Sequence, residues 1–572
     1  MKTSYYIIDY LYKNGVTHIF EVIGGMITHL VDSAYEHGQI KLVSTHHEQS
    51  AAFAAGAMAR ITGVPGVALA TSGPGAVNLL TGIGDCFFDS VPAIFITGQV
   101  NLDEQKGDLP IRQLGFQETD IVSMARPITK AVWKVDSSEQ IPSILDEAFH
   151  ISLSGRPGPV LIDIPMDVQR SEIQGSPMIR KKNDHDESLE GVDFESILNA
   201  LNRAKTPLIL AGGGIHSARA LSLFREFVEI TGIPVVNSLM AVDALPYNHP
   251  LRVGLIGTYG NRWANQAFGQ FDVLLVLGSR LDIRQTGKNI ELFQSSGRTI
   301  FHVDCEKGEI NNRIKGCIPV LIDLNIFLTE ALRIAKKMQF KGHRDWMAQI
   351  NQMRKPWPDT HEIKNVSGIN PNKFMHDLSA CSLQAGAYVV DVGNHQMWAA
   401  QSIQVGPNQR FITAGGMGAM GFSLPSAIGA SFACPGQPIV QIAGDGGMQM
   451  NIQELQTIRH HQLPVKMVVL NNSSLGMVRQ FQQSYFDERY QSTYWGYSAP
   501  EFTKVSEAYG IPAMAVKHNQ DIKTGLMKLW EKPLEPFLLE VDINMMANAY
   551  PKIGFGNQLT DMEPYDKPQE SA

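Results

Sequence analysis

Two short runs in the last third of the chain carry oxygen ligands in a usable arrangement: Gly444-Asp445-Gly446 and Asn471-Asn472, with a helix-like and then a strand-like segment between them. Asp445 and Asn472 offer hard oxygens of the kind Mg²⁺ prefers, and a backbone carbonyl near Ser474 can add a third while phosphate oxygens and water complete an octahedron. The glycines let backbone approach a phosphate closely. Ile439–Ala443 and Lys466–Leu470 are apolar and β-branched enough to form buried parallel strands. Both ligands are therefore predicted at strand carboxyl ends, where open α/β sheets bind ligands. Either short run alone reads equally as a turn or a loop; the pairing points to a divalent cation clamped on a diphosphate. A GxGxxG at Gly416, Gly418 and Gly421 suggests a dinucleotide fold instead. The acidic residue after the next strand is Asp445, however, whose glycine neighbours and asparagine partner suit a metal better than a ribose.

A carboxyl group far upstream is the natural candidate for proton chemistry. Glu48 follows a predicted strand, Leu42–Ser44, and opens a predicted small-residue helix, Ser50–Arg60, whose alanines permit close packing. A glutamate in a first helical turn is also favoured by the macrodipole, so position alone leaves both roles open.

These groups need sheets to hold them. At 572 residues the chain has room for about three to four domains, and its 44% hydrophobic and 18% charged residues can fill several cores. A net charge of −8 with no basic run argues against nucleic acid. No run of 18 or more apolar residues offers a membrane span, and the start MKTSYYIIDYLYKNG suits an amphipathic helix better than a secretory signal. The five cysteines (86, 305, 317, 381, 434) are odd in number and scattered, as expected of reduced thiols in a cytoplasmic protein without a zinc site. Two polar stretches, 171–191 and 341–370, read as linkers. They divide the chain into α/β units at 1–170, 192–340 and 371–550, with a tail at 551–572. Apolar strand candidates at Val67–Ala70, Ala93–Thr97, Leu208–Ala211, Val273–Leu277 and Tyr388–Val392 alternate with helical patterns. Three doubly wound parallel-sheet domains are predicted, with no short internal repeat visible.

The segments HHEQSAAFAAGAMAR and TSGPGAVNLLTGIGDCFFDSVPAIFITGQV, together with the GDG and NN runs, resemble the thiamine diphosphate enzymes. Over nearly the whole chain the detailed match is to acetolactate synthases, carried by LGFQETDIV, SGRPGPVLIDIPMDVQ (Ser154–Gln169), NNSSLGMVRQFQQ (Asn471–Gln483) and YPKIGFGNQLTDMEP (Tyr550–Pro564). The resemblance implies a C–C bond-forming transferase with pyrimidine-binding, central and diphosphate-binding domains. Glu48 would hydrogen-bond the pyrimidine ring and favour the imino tautomer that takes the thiazolium C2 proton. Gly25, Phe116 and Gln117 would stand near the reacting atoms, and Pro74 and Asn78 near the pyrimidine. In AGGMGAMGFSLPSAIGA (Ala414–Ala430), Met420 would support the bent cofactor and the Gly418 carbonyl would meet its amine; an ordinary core role for the methionine is the competing explanation. In DVGNHQMWAAQ (Asp391–Gln401), the Val392-Gly393 loop would present Asn394 and His395 as donors to phosphate, with the Gly446 and Gly447 amides; His395 reads equally as a loop histidine. Met477 would line the pocket, and Asp445, Asn472 and Ser474 would hold Mg²⁺.

The middle unit resembles the flavin-contacting part of synthases that bind FAD, through Gly212-Gly213-Gly214, Leu239-Met240, Gly254 to Gly257, Gly278-Ser279-Arg280 and LDIRQTG (Leu281–Gly287). A triple glycine is also an ordinary βα turn. Asp304, after the predicted strand Thr299–Val303, would hold a ribose, and the FAD would be structural. The acceptor side departs from the family pattern. Phe481 stands where branched-chain synthases usually have Trp, Met166 where they have Lys, and Ile283 where they have Asp. Arg284 is retained and could pair with the carboxylate of a second keto acid. Pyruvate with a second 2-keto acid is the leading expectation. A keto-deoxysugar nucleotide acceptor, a plain decarboxylase or oxidase, and a nonenzymatic flavin-binding scaffold are the alternatives. The resemblance also implies a homodimer or tetramer with the active site between subunits, and a possible small regulatory subunit.

Overall fold

The computed structural model describes residues 1–177, 191–363 and 365–565. The expected linker 171–191 falls largely outside them, as do the last residues of the expected tail.

The near-continuous apolar runs form three six-stranded sheets, each fully parallel. The first contains β1 (His18–Val22), β2 (Lys41–Ser44), β3 (Gly66–Ala70), β4 (Ala93–Gln99), β5 (Ala131–Lys134) and β6 (Pro159–Pro165). The second contains β7 (Leu208–Ala211), β8 (Val235–Asn237), β9 (Arg252–Leu255), β10 (Val273–Leu277), β11 (Thr299–Asp304) and β12 (Ile318–Leu321). The third contains β13 (Ala387–Val390), β14 (Arg410–Thr413), β15 (Ile439–Gly444), β16 (Val465–Asn471), β17 (Ala513–Val516) and β18 (Phe537–Asp542). Strands β3, β4, β6 and β15 are buried at every residue, as parallel strands covered on both faces must be.

The outer sheets run β2-β1-β3-β4-β6-β5 and β14-β13-β15-β16-β18-β17, the same order when each is counted from its own first strand. The middle sheet, β9-β8-β7-β10-β11-β12, has the 3-2-1-4-5-6 order of dinucleotide-binding folds. In each sheet the order reverses beside the first strand and opens a crevice at the carboxyl ends. The crevice of the first sheet receives Gly24-Gly25 after β1, Glu48 after β2 and Thr71 to Pro74 after β3. That of the third receives Asp391 to Gly393 after β13, Asp445 after β15 and Asn472 after β16.

One helix pair joins the outer domains. Glu48–Thr62 needs small residues because three glycines press on it: a Cβ on Gly429 would lie 2.0 Å from Ala54 O, one on Gly66 2.0 Å from Ala55 O, and one on Gly82 2.3 Å from Ala52 Cβ. Gly429 belongs to Ser423–Ala433, the helix that follows the Met420 loop. Phe53 and Phe422 close the contact edge to face, with ring centroids 5.4 Å apart.

The stretch 341–370 is more ordered than a linker. It contains the helix Arg344–Arg354, whose buried Trp346 and Ile350 join the core of the middle domain. Its apolar residues are few, with Met347 and Met353 half-buried against the same core, and the charged and amide residues between them conceal the pattern. The C-terminal segment also packs, pairing Lys552–Ile553 with Met562–Glu563 and burying Leu559 and Met562. Arg262 ties both segments to the middle domain through a two-pronged bond to Glu362, at 2.9 and 2.7 Å, and a third to Met562 O at 2.8 Å. Among the described residues no helix is long and apolar enough to cross a membrane.

Replacing Gly429 with Ala should force the two helices apart. Overpacking of this kind costs about 1–3 kcal/mol, and the expected outcome is a fall of several degrees in apparent melting temperature by calorimetry, larger than for Gly308→Ala, where a Cβ meets nothing and the backbone is not left-handed.

Candidate active site

The ligands predicted on β15 and β16 come together in the third crevice. Asp445 is 2% exposed, and burial pushes its carboxyl up to about 6 although the Tyr497 hydroxyl and backbone amides draw it down. Tyr497 donates to Asp445 Oδ2 at 3.0 Å and accepts from Gln449 Nε2 at 3.1 Å. A dehydrated carboxylate whose donors, the Tyr497 hydroxyl and backbone amides, are all neutral is well suited to a cation, which reverses the local penalty. Asn472 is buried beside it, accepting from the Ser474 amide at 3.3 Å, and Ser474 Oγ is buried without a partner. No group of three His, Cys, Asp or Glu among the described residues could hold a metal. A cation here would therefore need one carboxylate, one amide and oxygens supplied by its ligand, a set Mg²⁺ accepts with phosphates.

The opposing wall follows β13. Asn394 Oδ1 and His395 Nε2 are both buried and unpaired. Burial lowers the His395 imidazole to about 3, and its bond to the Asp391 backbone opposes that only partly. A neutral ring that spends its one N–H on the Asp391 carbonyl leaves Nε2 an acceptor, so His395 donates to phosphate only when a diphosphate's charge stabilises the imidazolium. Glycines set the width of the site. A Cβ on Gly447 would sit 2.5 Å from Asp391 Oδ1, one on Gly446 3.1 Å from Met420 Cε, and one on Gly476 2.6 and 2.9 Å from the Asn472 and Asn394 side-chain nitrogens.

These residues line one end of a cavity of about 1650 Å³ that Val392, Gly393, Gly418, Met420 and Met477 also line. The middle domain supplies the other end through Gly213, Gly214, Leu239, Met240, Gly278, Arg280, Arg284 and Asp304. The volume exceeds the roughly 300–1,000 Å³ of a single-ligand pocket, so two ligands fit. Gly212, Gly254 and Gly257 stand behind that wall instead. Gly212 and Gly257 are required by neighbouring backbone, a Cβ falling 2.0 Å from Gly278 O and 2.4 Å from Arg284 O, and Gly254 by a side chain, Asn261 Oδ1 lying 2.7 Å from its Cβ position.

The upstream residues form a second cluster that this cavity does not reach. Asn78 Nδ2 donates to Glu48 Oε2 at 2.9 Å. Gly75 lies against Glu48 Oε1 and Thr71, and Thr71 in turn packs on Gly24 and accepts from the Met26 amide. Gln117, left-handed at φ 68°, packs on Gly73 beside Pro74. Non-glycine residues hold such a conformation only where their surroundings impose it. Gly25 is exposed at the rim, Phe116 is 79% exposed and Ile23 61%. Met166 is half-buried after β6, outside the cavity. Phe481 is 53% exposed and packs on Tyr485 and Phe486 with centroids 4.8 and 5.8 Å apart. Arg284 bonds the Tyr259 hydroxyl and both line the cavity, whereas Phe481 and Met166 do not. Arg284 has no carboxylate partner among the described residues. Tyr497 carries no motif, and its role emerges only from the loop that returns over Asp445.

Residues 1–124 match the family model described as thiamine pyrophosphate enzyme, N-terminal TPP binding domain, residues 194–331 the central domain, and residues 391–541 the C-terminal TPP binding domain. The acetolactate synthase large subunit of Lactococcus lactis subsp. lactis (strain IL1403) is 35% identical over 562 residues, 98% of this chain and 95% of that protein. The isozyme 2 large subunit of Escherichia coli (strain K12) is 35% identical over 98% of this chain and 99% of its own, and the acetolactate synthase of Arthrospira platensis 37% over 98% and 97%. The chain belongs to the acetolactate synthase family of thiamine diphosphate enzymes. Its three sheets are that family's three domains, and the two matched TPP binding domains carry the two clusters.

In this family member Gly476→Ala should displace both Asn472 and Asn394. The expected outcome by titration calorimetry is thiamine diphosphate bound about tenfold or more weakly, with the melting temperature of the cofactor-free protein changed by only a few degrees.

Proposed function

We propose that the protein decarboxylates pyruvate and transfers the resulting two-carbon unit to the carbonyl of a second 2-keto acid. The observation that carries this reading is the division of labour between equivalent crevices: a buried glutamate with one oxygen uncommitted in the first sheet, and a cation-ready aspartate and asparagine in the third. Bound thiamine diphosphate supplies the electron sink that decarboxylation of a 2-keto acid requires. Asp445, Asn472 and the backbone at Ser474 would hold Mg²⁺ on the diphosphate, and Asn394 and protonated His395 would bond its oxygens. Met420, flexible and half-buried over Gly446, would fill the space beneath the bend. Glu48 uses Oε2 to accept from Asn78, which leaves Oε1 to hold a proton against the pyrimidine ring. Arg284 would pair with the acceptor's carboxylate.

The crevice of the middle sheet supports FAD. Its strand order is that of dinucleotide-binding sheets, Gly213, Gly214 and Gly278 lie at the switch point, and Asp304 ends the neighbouring strand. A structural role fits, since the condensation has no net redox step. The separation of the Glu48 cluster from the cavity supports a homodimer, or a tetramer built as a dimer of dimers, in which one subunit's Glu48 faces its partner's Asp445. The words "large subunit" in the names of two relatives support a smaller regulatory chain. Five free thiols fit a cytoplasmic protein. The identity to acetolactate synthases along the full length favours a keto-acid acceptor over a ketosugar nucleotide.

Purified protein given pyruvate, thiamine diphosphate and Mg²⁺ is expected to release acetolactate, identified by mass spectrometry; a product formed only with a ketosugar nucleotide would refute the acceptor assignment. Arg284→Ala should raise KM for the acceptor far more than it lowers decarboxylation. The interface is checked by mixing two inactive variants, Glu48→Gln and Asp445→Ala. Random reassortment should restore about a quarter of the wild-type activity, because half of the dimers then hold one intact site; sites built within single chains would restore none.

A further inference from the structure

The Glu48 turn is anchored from outside its own domain. Asn451, 1% exposed, caps the carboxyl end of the short helix Asp445–Met450. Its Nδ2 donates to Gln49 Oε1 at 3.1 Å and to Gly421 O at 2.8 Å, and its Oδ1 accepts from Ser50 Oγ at 3.2 Å and Gln453 Nε2 at 3.4 Å. Three residues on, the fully buried Glu454 accepts from the His46 amide at 2.9 Å and from Thr457 Oγ1 at 2.7 Å. Residues on both sides of Glu48 are thus held by the segment that begins with Asp445, and the same amide also holds the loop that carries Met420.

Only an amide satisfies this junction. It offers two donors and an acceptor in one plane, whereas aspartate at the same position has no donor for Gln49 or Gly421, and an apolar side chain leaves Gln49, Ser50 and the Gly421 carbonyl buried and unpaired. The turn's own cap, the His47 ring accepting from the Gln49 amide at 3.1 Å, fixes the helix start but not its place relative to the other domain. A carboxylate that must meet one ring nitrogen tolerates little displacement, since a misplacement of about 1 Å can cost a hundredfold in rate.

We propose that Asn451 is a positioning residue for Glu48: it fixes the turn at residues 46–50 against the third domain of its own chain, and so sets the angle at which the carboxylate is presented to the cofactor held by the partner subunit. This rests on the role given above to Glu48, and it concerns how that role is enforced. The test uses the full-length protein in two states. Without cofactor, Asn451→Ala should cut amide hydrogen-exchange protection in the peptide spanning residues 45–53 by about tenfold while leaving the β1 and β3 peptides unchanged. With cofactor saturating, exchange of its C2 proton into deuterated water, read by NMR after acid quench, should slow at least about tenfold in Asn451→Ala. The Glu48→Gln, Asn451→Ala double variant should be no slower than Glu48→Gln alone, because residues acting through one group are non-additive. Gln49→Ala, which removes one arm of the junction, repeats the measurement should Asn451→Ala not fold. Unchanged C2 exchange in Glu48→Gln would overturn the role of Glu48 itself. Slowed exchange in Glu48→Gln with normal exchange in Asn451→Ala and Gln49→Ala, or additive losses in the double variant, would overturn the positioning role alone.

Discussion

The backbone contact between Glu48–Thr62 and Ser423–Ala433 is the constraint from which the rest of the arrangement follows. Two helices that meet where one carries glycine and the other alanine have no side chains to slide on, so their relative position is set by backbone atoms. One begins with the proton-handling carboxylate and the other ends the loop that holds Met420. Ion pairs at the far end reinforce the register. Arg60, late on the first helix, bonds Asp85 and Asp89 at 2.8 and 3.0 Å, and Asp89 in turn accepts from the Gly415 and Gly416 amides at 2.9 and 2.7 Å. Both ends of the Met420 loop are therefore tied to the domain that bears Glu48.

Inside the third crevice the protein accepts costs that a ligand can relieve. Asn394 Oδ1, His395 Nε2 and Ser474 Oγ are buried without partners, and Asp445 is dehydrated. Each unpaired group of this kind costs about 1–3 kcal/mol. They are concentrated on the two walls that face each other across the Gly446, Gly447 and Gly476 backbone. Asp391 shows the contrast: it is equally buried yet accepts from the Val392, Gly421 and Ser423 amides. Its charge is spent on holding the loops together, whereas Asp445, though it also accepts from backbone amides, stands in the wall of the cavity. Binding of diphosphate and cation would stabilise the fold through the same groups.

The sequence made the parallel strands and the paired oxygen ligands legible because both are local: a buried strand is an apolar run, and a ligand at its carboxyl end is the next polar residue. The helix at Arg344–Arg354 escaped because its inward residues, Trp346, Met347, Ile350 and Met353, lie among charged and amide residues and just before two prolines, a composition that reads as a polar linker. The equivalence of the outer sheets was hidden for another reason. A shared strand order needs only similar patterns of buried and turn residues, and Glu48 and Asp445, at corresponding ends, were placed for different chemistry. Glycines carry two signals at once. Gly212, Gly254 and Gly257 stand where the resemblance puts flavin contacts, and the Gly278 and Arg284 carbonyls and the Asn261 side chain already demand that they lack a side chain. Tyr497 was invisible because a loop closing over a site leaves no pattern in the chain.

The acceptor side illustrates how far a single chain can be read. Arg284 stands on the middle domain, in the cavity wall beside Tyr259, while Phe481 belongs to the third domain and Met166 to the first, and neither of those two lines the cavity. If the site forms between subunits, the cation that would recognise an acceptor's carboxylate and the methionine that replaces the family's lysine come from different chains. Their effects on selectivity are then separable. The guanidinium acts on charge, and its exposed position with only a phenol for company leaves it free to pair with an anion. The methionine would act on charge and shape together, since a thioether where the resemblance puts an ammonium leaves the funnel less cationic and roomier. The two pull in different directions: the guanidinium favours the carboxylate of a 2-keto acid, while the uncharged wall suits a larger or neutral carbonyl compound, so it is the full-length identity to acetolactate synthases that weighs for the keto acid.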